Sequence, residues 1–143
     1  MNADGAIVLE FPLTGGNFEG AGEASSKVKR VLQQLGIRPD IVRRIAIGAY
    51  EAEMNVIIHA WRGVLRACIY AGRTELTIED EGPGIADIEQ AMQEGFSTAP
   101  DHIRELGFGA GMGLPNMYKC SDEFTIQSEV NVGTKIRMVI RHS

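Results

Sequence analysis

The chain has little cysteine, with two in 143 residues, Cys68 and Cys120. They show no CxxC spacing and no neighbouring histidine, which argues against a structural zinc site. Two buried, reduced thiols are the expectation, because free cysteine favours the interior. The chain also lacks any run of roughly 20 apolar residues, the length a membrane-spanning helix needs. Its opening MNADGAIVLEF carries an acid where a secretory signal would carry positive charge. The cytoplasm is therefore the expected compartment, with no membrane partner. Basic charge is short as well: 14 Lys and Arg face 19 Asp and Glu, a net charge of −5. A nucleic-acid-binding domain generally shows a basic surface, so direct DNA or RNA binding is disfavoured. No GK[ST] triplet and no GxGxxG occur, which removes Walker-type phosphate binding. Proline is sparse at five residues.

Glycine is the residue in surplus. There are 17, about 12% of the chain, against roughly 7% in average usage. Hydrophobic residues make up an ordinary 44%. A domain of this size buries on the order of two thirds of its unfolded surface, so the excess must be local. Seven glycines fall between Gly82 and Gly113, four of them at alternate positions: Gly107, Gly109, Gly111 and Gly113.

The pattern along the chain predicts a first strand over Ile7–Phe11 and a glycine-rich loop over Thr14–Gly22. A helix follows over Ala24–Leu35, with Val28, Val31, Leu32 and Leu35 on one face and Gly36 as its stop. A second helix runs over Ile41–Ala60, with Asp40 as its expected cap. It is apolar nearly all round, as buried helices are. Yet Glu51, Asn55 and His59 stand in it at i, i+4 and i+8, and so share one face. That stripe reads equally as a solvent face or as the lining of a site. Gly63–Ala71 and Thr74–Glu79 read as a hairpin. The second strand leads into Asp80-Glu81-Gly82-Pro83-Gly84-Ile85. A short helix is expected over Ile88–Gln93 and another from Leu114, with Pro115 in its first turn. Paired strands over Phe124–Ser128 and Thr134–Ile140 end the chain. With no repeat and no linker, residues 1–143 read as a single domain.

Three pieces of this pattern suit a nucleotide. An aspartate at a strand end, Asp80, can accept a hydrogen bond from an exocyclic amine, and an unmade bond there costs about 1–3 kcal/mol. Gly82 and Gly84 let backbone approach a ring closely. The run Gly107–Leu114 before a helix can present free N–H groups and a positive helix end to phosphates. The Asn55 oxygen can serve as one hard ligand of Mg²⁺, which keeps several waters. A carboxylate such as Glu51 can act as general base. Each signal is weak alone; their order along one chain is much stronger.

On these residues the sequence resembles the GHKL-type ATPases, and within them the bacterial anti-sigma factor and switch-protein serine kinases. EAEMNVIIHA at Glu51–Ala60 is similar to their N box, IEDEGPGI at Ile78–Ile85 to their G1 box, and GFGAGMGL at Gly107–Leu114 to their G2 box. AMQEGFSTAP at Ala91–Pro100 is similar to the segment entering their ATP lid, and Gly133-Thr134 to a closing motif. The likeness spans Ile7–Ile140.

The resemblance implies a two-layer α/β sandwich, the Bergerat fold, with a mixed, mostly antiparallel sheet and helices on one face. It implies ATP and Mg²⁺ as cofactors. Glu51 would be the catalytic base and Asn55 the metal ligand. Asp80 would hold the adenine amine, supported by Gly84 and Thr134. The backbone of Gly107, Gly109, Gly111, Gly113 and Leu114 would hold phosphates. Arg104 matches an arginine near the γ-phosphate, and reads equally as a solvated loop charge. His59 is not assigned a catalytic role. The implied activity is a protein serine/threonine kinase whose substrate is a small antagonist-type protein, with a sigma factor or other regulator as a further partner and a homodimer as the expected assembly. The alternative is a module that binds ATP and works by sequestration without phosphoryl transfer. Two departures stand out: Glu105-Leu106 lengthens the lid, and Thr14–Gly22 is a local expansion.

Overall fold

The computed structural model describes residues 5–93 and 113–143. In chain order these form β1 (Ile7–Thr14), a 3-10 turn (Phe18–Gly20), α1 (Glu23–Gln34), α2 (Pro39–His59), β2 (Arg62–Ile69) and β3 (Arg73–Glu81). The short helix α3 (Ile88–Ala91), α4 (Gly113–Cys120), β4 (Glu123–Glu129) and β5 (Gly133–Arg141) follow. The strands make one sheet in the order β1-β2-β3-β5-β4. All four pairings among the described residues are antiparallel, so the expected mixed sheet shows no parallel pair there. Alternation sets the two faces of the sheet. Leu65 and Ala67 on β2, Leu76 and Ile78 on β3, and Ile136, Met138 and Ile140 on β5 point one way and are fully buried. The opposite face carries cross-strand ion pairs such as Arg66–Glu10 and Lys135–Glu79, both largely exposed.

Helix α2 lies on the buried face. Ile45, Ala49, Ala52 and Val56 have no exposed surface. The all-round apolar pattern of its sequence has a simple cause: the sheet lies beneath it, with α1 and α4 packed alongside. Its start differs from expectation. Pro39, which needs no N–H partner, is the first helical residue after Arg38, so Asp40 sits inside the first turn and pairs with Arg38 at 3.2 Å. Helix α1 ends at Gln34, one residue short of the expected Leu35, which is its cap. Ile37 N–H reaches Leu32 O and Gly36 N–H reaches Gln33 O, the paired bonds of a Schellman motif.

The N-terminus of α1 is closed from a distance. Gly22 has no side chain with which to cap it, and the cap comes from Glu53 on α2. Its carboxylate is 1% exposed. It accepts the N–H groups of Gly22 and Ala24 on Oε2 and that of Ser25 on Oε1, at 3.1–3.2 Å. A negative charge at a helix N-terminus is favourable, and three N–H donors satisfy the buried carboxylate. The glycine-rich loop is stitched to the other end of α2, Gly15 N–H to Trp61 O and Gly16 N–H to Ile57 O. A Cβ on Gly15 would collide with the Ala60 carbonyl. The Thr14–Gly22 segment is thus a strap fitted against the C-terminal end of α2. Glu53→Gln, which turns an amide N–H₂ towards one donor, is expected to destabilise the fold by about 1–3 kcal/mol. Urea unfolding checks this, with the midpoint lowered and the slope unchanged.

Candidate functional site

The helical stripe resolves as a surface that is half-buried rather than freely solvated. Glu51, Asn55 and His59 are each partly exposed. The Glu51 carboxylate meets α4, accepting a hydrogen bond on Oε1 from the Asn116 side-chain amide at 3.2 Å. A Cβ on Gly113, the first residue of α4, would stand 3.4 Å from Glu51 Oε2. Burial raises the Glu51 pKa above 4.5, and the Asn116 hydrogen bond partly opposes the rise. Burial lowers that of His59 below the ordinary imidazole value.

Asp80 lies near the end of β3 and opens the second part of the site. Its Oδ1 accepts the N–H of Thr134 at 3.0 Å. Burial raises its pKa above 3.8, against the pull of that N–H. Gly133 makes the arrangement possible, because any Cβ there would collide with the Asp80 carbonyl. Behind it, Ser128 Oγ is 2.8 Å from Thr134 Oγ1 and accepts the Ile85 N–H at 2.8 Å. Ser128 therefore ties the Gly82–Gly84 turn to β4 and β5. Gly84 has φ +73, and a side chain on it would meet the Glu129 carbonyl, while one on Gly82 would meet the Ala60 backbone. Both glycines are thus required by the packing of this chain on itself.

The structure brings Glu51, Gly113 and Leu114 together where α2 meets α4, with Asn55 one turn along, and joins Asp80 to Thr134. Arg104, Gly107, Gly109 and Gly111 lie outside the described residues. Sequence reasoning missed Asn116, whose contact spans 65 residues of chain, and Ser128; a lone Asn in a helix and a lone Ser in a strand carry no signal of their own. It also expected two buried thiols. Both are only partly buried. The Cys120 pKa is raised mainly by burial, lowered by nearby Arg44 and raised by nearby Glu51.

For a cofactor, the chemistry of the donors is informative. Among the described residues no three His, Cys, Asp or Glu side chains gather to hold a metal. A protein cage is therefore absent there, and a lone Asn oxygen suits Mg²⁺ held mainly by phosphates and water. Asp80 has one oxygen fixed by backbone and a second with which to accept an amine. These residues fit a magnesium nucleotide.

The antiparallel sheet with helices on one face, and a carboxylate and an amide one turn apart on the central helix, define the ATPase class with a histidine kinase-like fold. Comparison bears this out: the family model of the histidine kinase-like ATPase domain matches residues 18–140. The chain belongs to that family. It is 37% identical over 115 residues to an anti-sigma F factor of Geobacillus sp. (strain WCH70), covering 76% of this chain and 75% of the relative. It is 31% identical over 115 residues to the serine/threonine-protein kinase RsbT of Bacillus subtilis (strain 168), covering 78% and 80%. Among solved structures it matches a chain of the SiaB-SiaC complex from Pseudomonas aeruginosa with a TM-score of 0.66. That match is 13% identical and covers 96% of this chain and 90% of that one.

Two outcomes are expected. Glu51→Gln removes a partly desolvated charge and keeps an acceptor for Asn116, so its Tm at pH 7 should exceed that of the wild type. The folded state binds the Glu51 proton more tightly than the unfolded state, so wild-type stability from this group falls as pH rises above 4.5. The gap between the two proteins should therefore close as pH is lowered, as thermal melts across pH would show. Asn116→Ala removes the one hydrogen bond that lowers the Glu51 pKa, so carboxylate NMR should find that pKa higher than in the wild type.

Proposed function

We propose that the chain is an ATP- and Mg²⁺-dependent protein serine/threonine kinase of a partner-switching circuit, an anti-sigma-type regulator that phosphorylates a small antagonist protein. The observation that carries this reading is the Glu51 carboxylate, half-buried, oriented by Asn116 and one turn from Asn55 on the same helix face. The name of the RsbT relative supports transfer to Ser or Thr. The anti-sigma names and the two-protein complex among the structural matches support a protein partner.

In this reading the whole of residues 1–143 acts as one ATPase domain, with a homodimer as its assembly. The second oxygen of Asp80 would accept the adenine amine, the first being held by the Thr134 N–H. The Asn55 side-chain oxygen would be a metal ligand. The backbone around Gly107–Gly113 and Leu114 would hold the phosphates, and Arg104 would serve the transferring charge. ATP, when bound with Mg²⁺, supplies the phosphoryl group. Glu51 would take the proton of the seryl or threonyl hydroxyl as that oxygen bonds to the γ-phosphorus, the bond from that phosphorus to the β,γ-bridging oxygen breaks and ADP leaves. The raised pKa of Glu51 suits this role, since a general base works best with a pKa nearer the operating pH. The phosphate then adds a charge of about −1.5 to −2 to the partner and changes its affinities.

A second reading is sequestration without transfer, favoured by the relatives named only as anti-sigma factors. Glu51→Ala separates the two. Calorimetry should find its ATP affinity within about threefold of the wild type, while phosphate transfer to partner, read by mass spectrometry, falls by about 10²-fold or more. Unchanged transfer removes Glu51 from the base role, and a stable partner complex with no transfer in the wild type favours sequestration. Asp80→Asn is expected to weaken ATP binding by tenfold or more, about 1.4 kcal/mol; equal affinity would reject the adenine assignment.

A further inference from the structure

Cations in this acidic chain are unevenly satisfied. On the sheet, Arg62, Arg66, Arg73, Lys135, Arg137 and Arg141 each stand within 4 Å of a carboxylate. Lys27, Lys29, Arg30 and Arg43 make no such pair among the described residues, and all four lie on α1 and α2. Between these two helices runs a groove of about 630 Å³. Lys29 and Arg43 line its walls, Ile37, Val42, Ile47 and Tyr50 its apolar surface, and no acidic residue lines it. Ile47 and Tyr50 are 38% and 39% exposed, high for apolar side chains on a helix whose neighbours are mostly buried.

The groove also has a direction. Arg43, Ile47 and Glu51 recur every fourth residue, and each such step turns about 40° around the helix. Four residues of helix rise about 6 Å. Ile47 is therefore one turn, and Arg43 two turns, from Glu51 along a stripe that winds from the groove towards α4, where Glu51 meets Asn116. A chain that leaves the groove along this stripe passes Ile47 before it reaches the carboxylate.

We propose that the α1–α2 groove docks an acidic, apolar-faced segment of the protein partner and delivers the adjoining residue to Glu51. The occupant's acids meet Lys29 and Arg43, roughly 12 Å along the helix axis from Glu51 in the case of Arg43. Its apolar side chains cover Ile47 and Tyr50. A nucleic acid would meet the same cations but has no use for this apolar surface in a chain of net charge −5. The inference rests on the reading of a protein partner, and it holds whether or not phosphate is transferred.

The test uses a displayed library of 15-residue peptides with a central serine, selected on the full chain. Enriched peptides are expected to combine Asp or Glu with Leu, Ile or Phe on one side of the serine. Their Kd should weaken at least tenfold in the Lys29→Glu, Arg43→Glu double variant and should rise with salt. A peptide with lysines in place of its acids should recover at least threefold of that loss. Ile47→Ser, which leaves the charges in place, should weaken binding independently. ATP affinity should stay within twofold in every variant. No enrichment, enrichment of basic peptides, or binding indifferent to the double reversal would overturn the proposal. So would a parallel loss of ATP affinity, because the groove is separate from Asp80. Peptides that bind as described but gain no phosphate would count against the kinase reading alone.

Discussion

The burial of α2 is the constraint on which the other features rest. A 21-residue helix with the sheet beneath it and α1 and α4 alongside cannot shift without opening the core. Interiors are close-packed and transmit strain rather than absorb it. A side chain on such a helix is held to a position set by many contacts elsewhere. Glu51 and Asn55 take their relative placement from helical geometry, and their absolute placement from this packing. Glu53, two residues from Glu51, serves the same helix in the opposite sense, fastening α1 through three backbone donors. Neighbouring carboxylates thus do separate work because they leave the helix on different faces.

Electrostatics follow from the same packing. Glu51 and Asp80 are both pushed up by partial burial, and each is pulled back by one hydrogen bond, from Asn116 and from Thr134. Each carboxylate is therefore oriented through one oxygen by one donor. The arrangement favours the protonated form in the folded state and gives up some stability at neutral pH. Stability of this kind is commonly surrendered where groups are held ready for chemistry.

Much of the fold was legible because its signals are local. The period of α1, the apolar run of α2 and the two hairpins appear in windows of ten to twenty residues, and the strands match within a few residues. Asp80 and Gly84 were legible as a strand end and a turn. What escaped depends on contacts between distant segments. The cap of α1 comes from Glu53, a side chain 28–31 residues away, which carries no local signal of that role. The partner of Glu51 comes from another helix. Gly15 looked like loop composition until the Ala60 carbonyl was found against it. Asp40 was misplaced for a local reason: a proline one residue earlier outweighed a favourable cap. The glycine surplus divides accordingly, with Gly82, Gly84 and Gly133 serving close packing of the chain at the edge of the site, and Gly15 serving the strap.

The proposed site would hold one nucleotide between Asp80 and the Glu51–Asn55 stretch of α2. A crystal structure with Mg²⁺ and a non-hydrolysable ATP analogue tests this most directly. The expected result is the adenine amine within about 3 Å of the free Asp80 oxygen and the metal at about 2.0–2.1 Å from the Asn55 side-chain oxygen. Adenine seated away from Asp80, or a metal ion bound without Asn55, would contradict it.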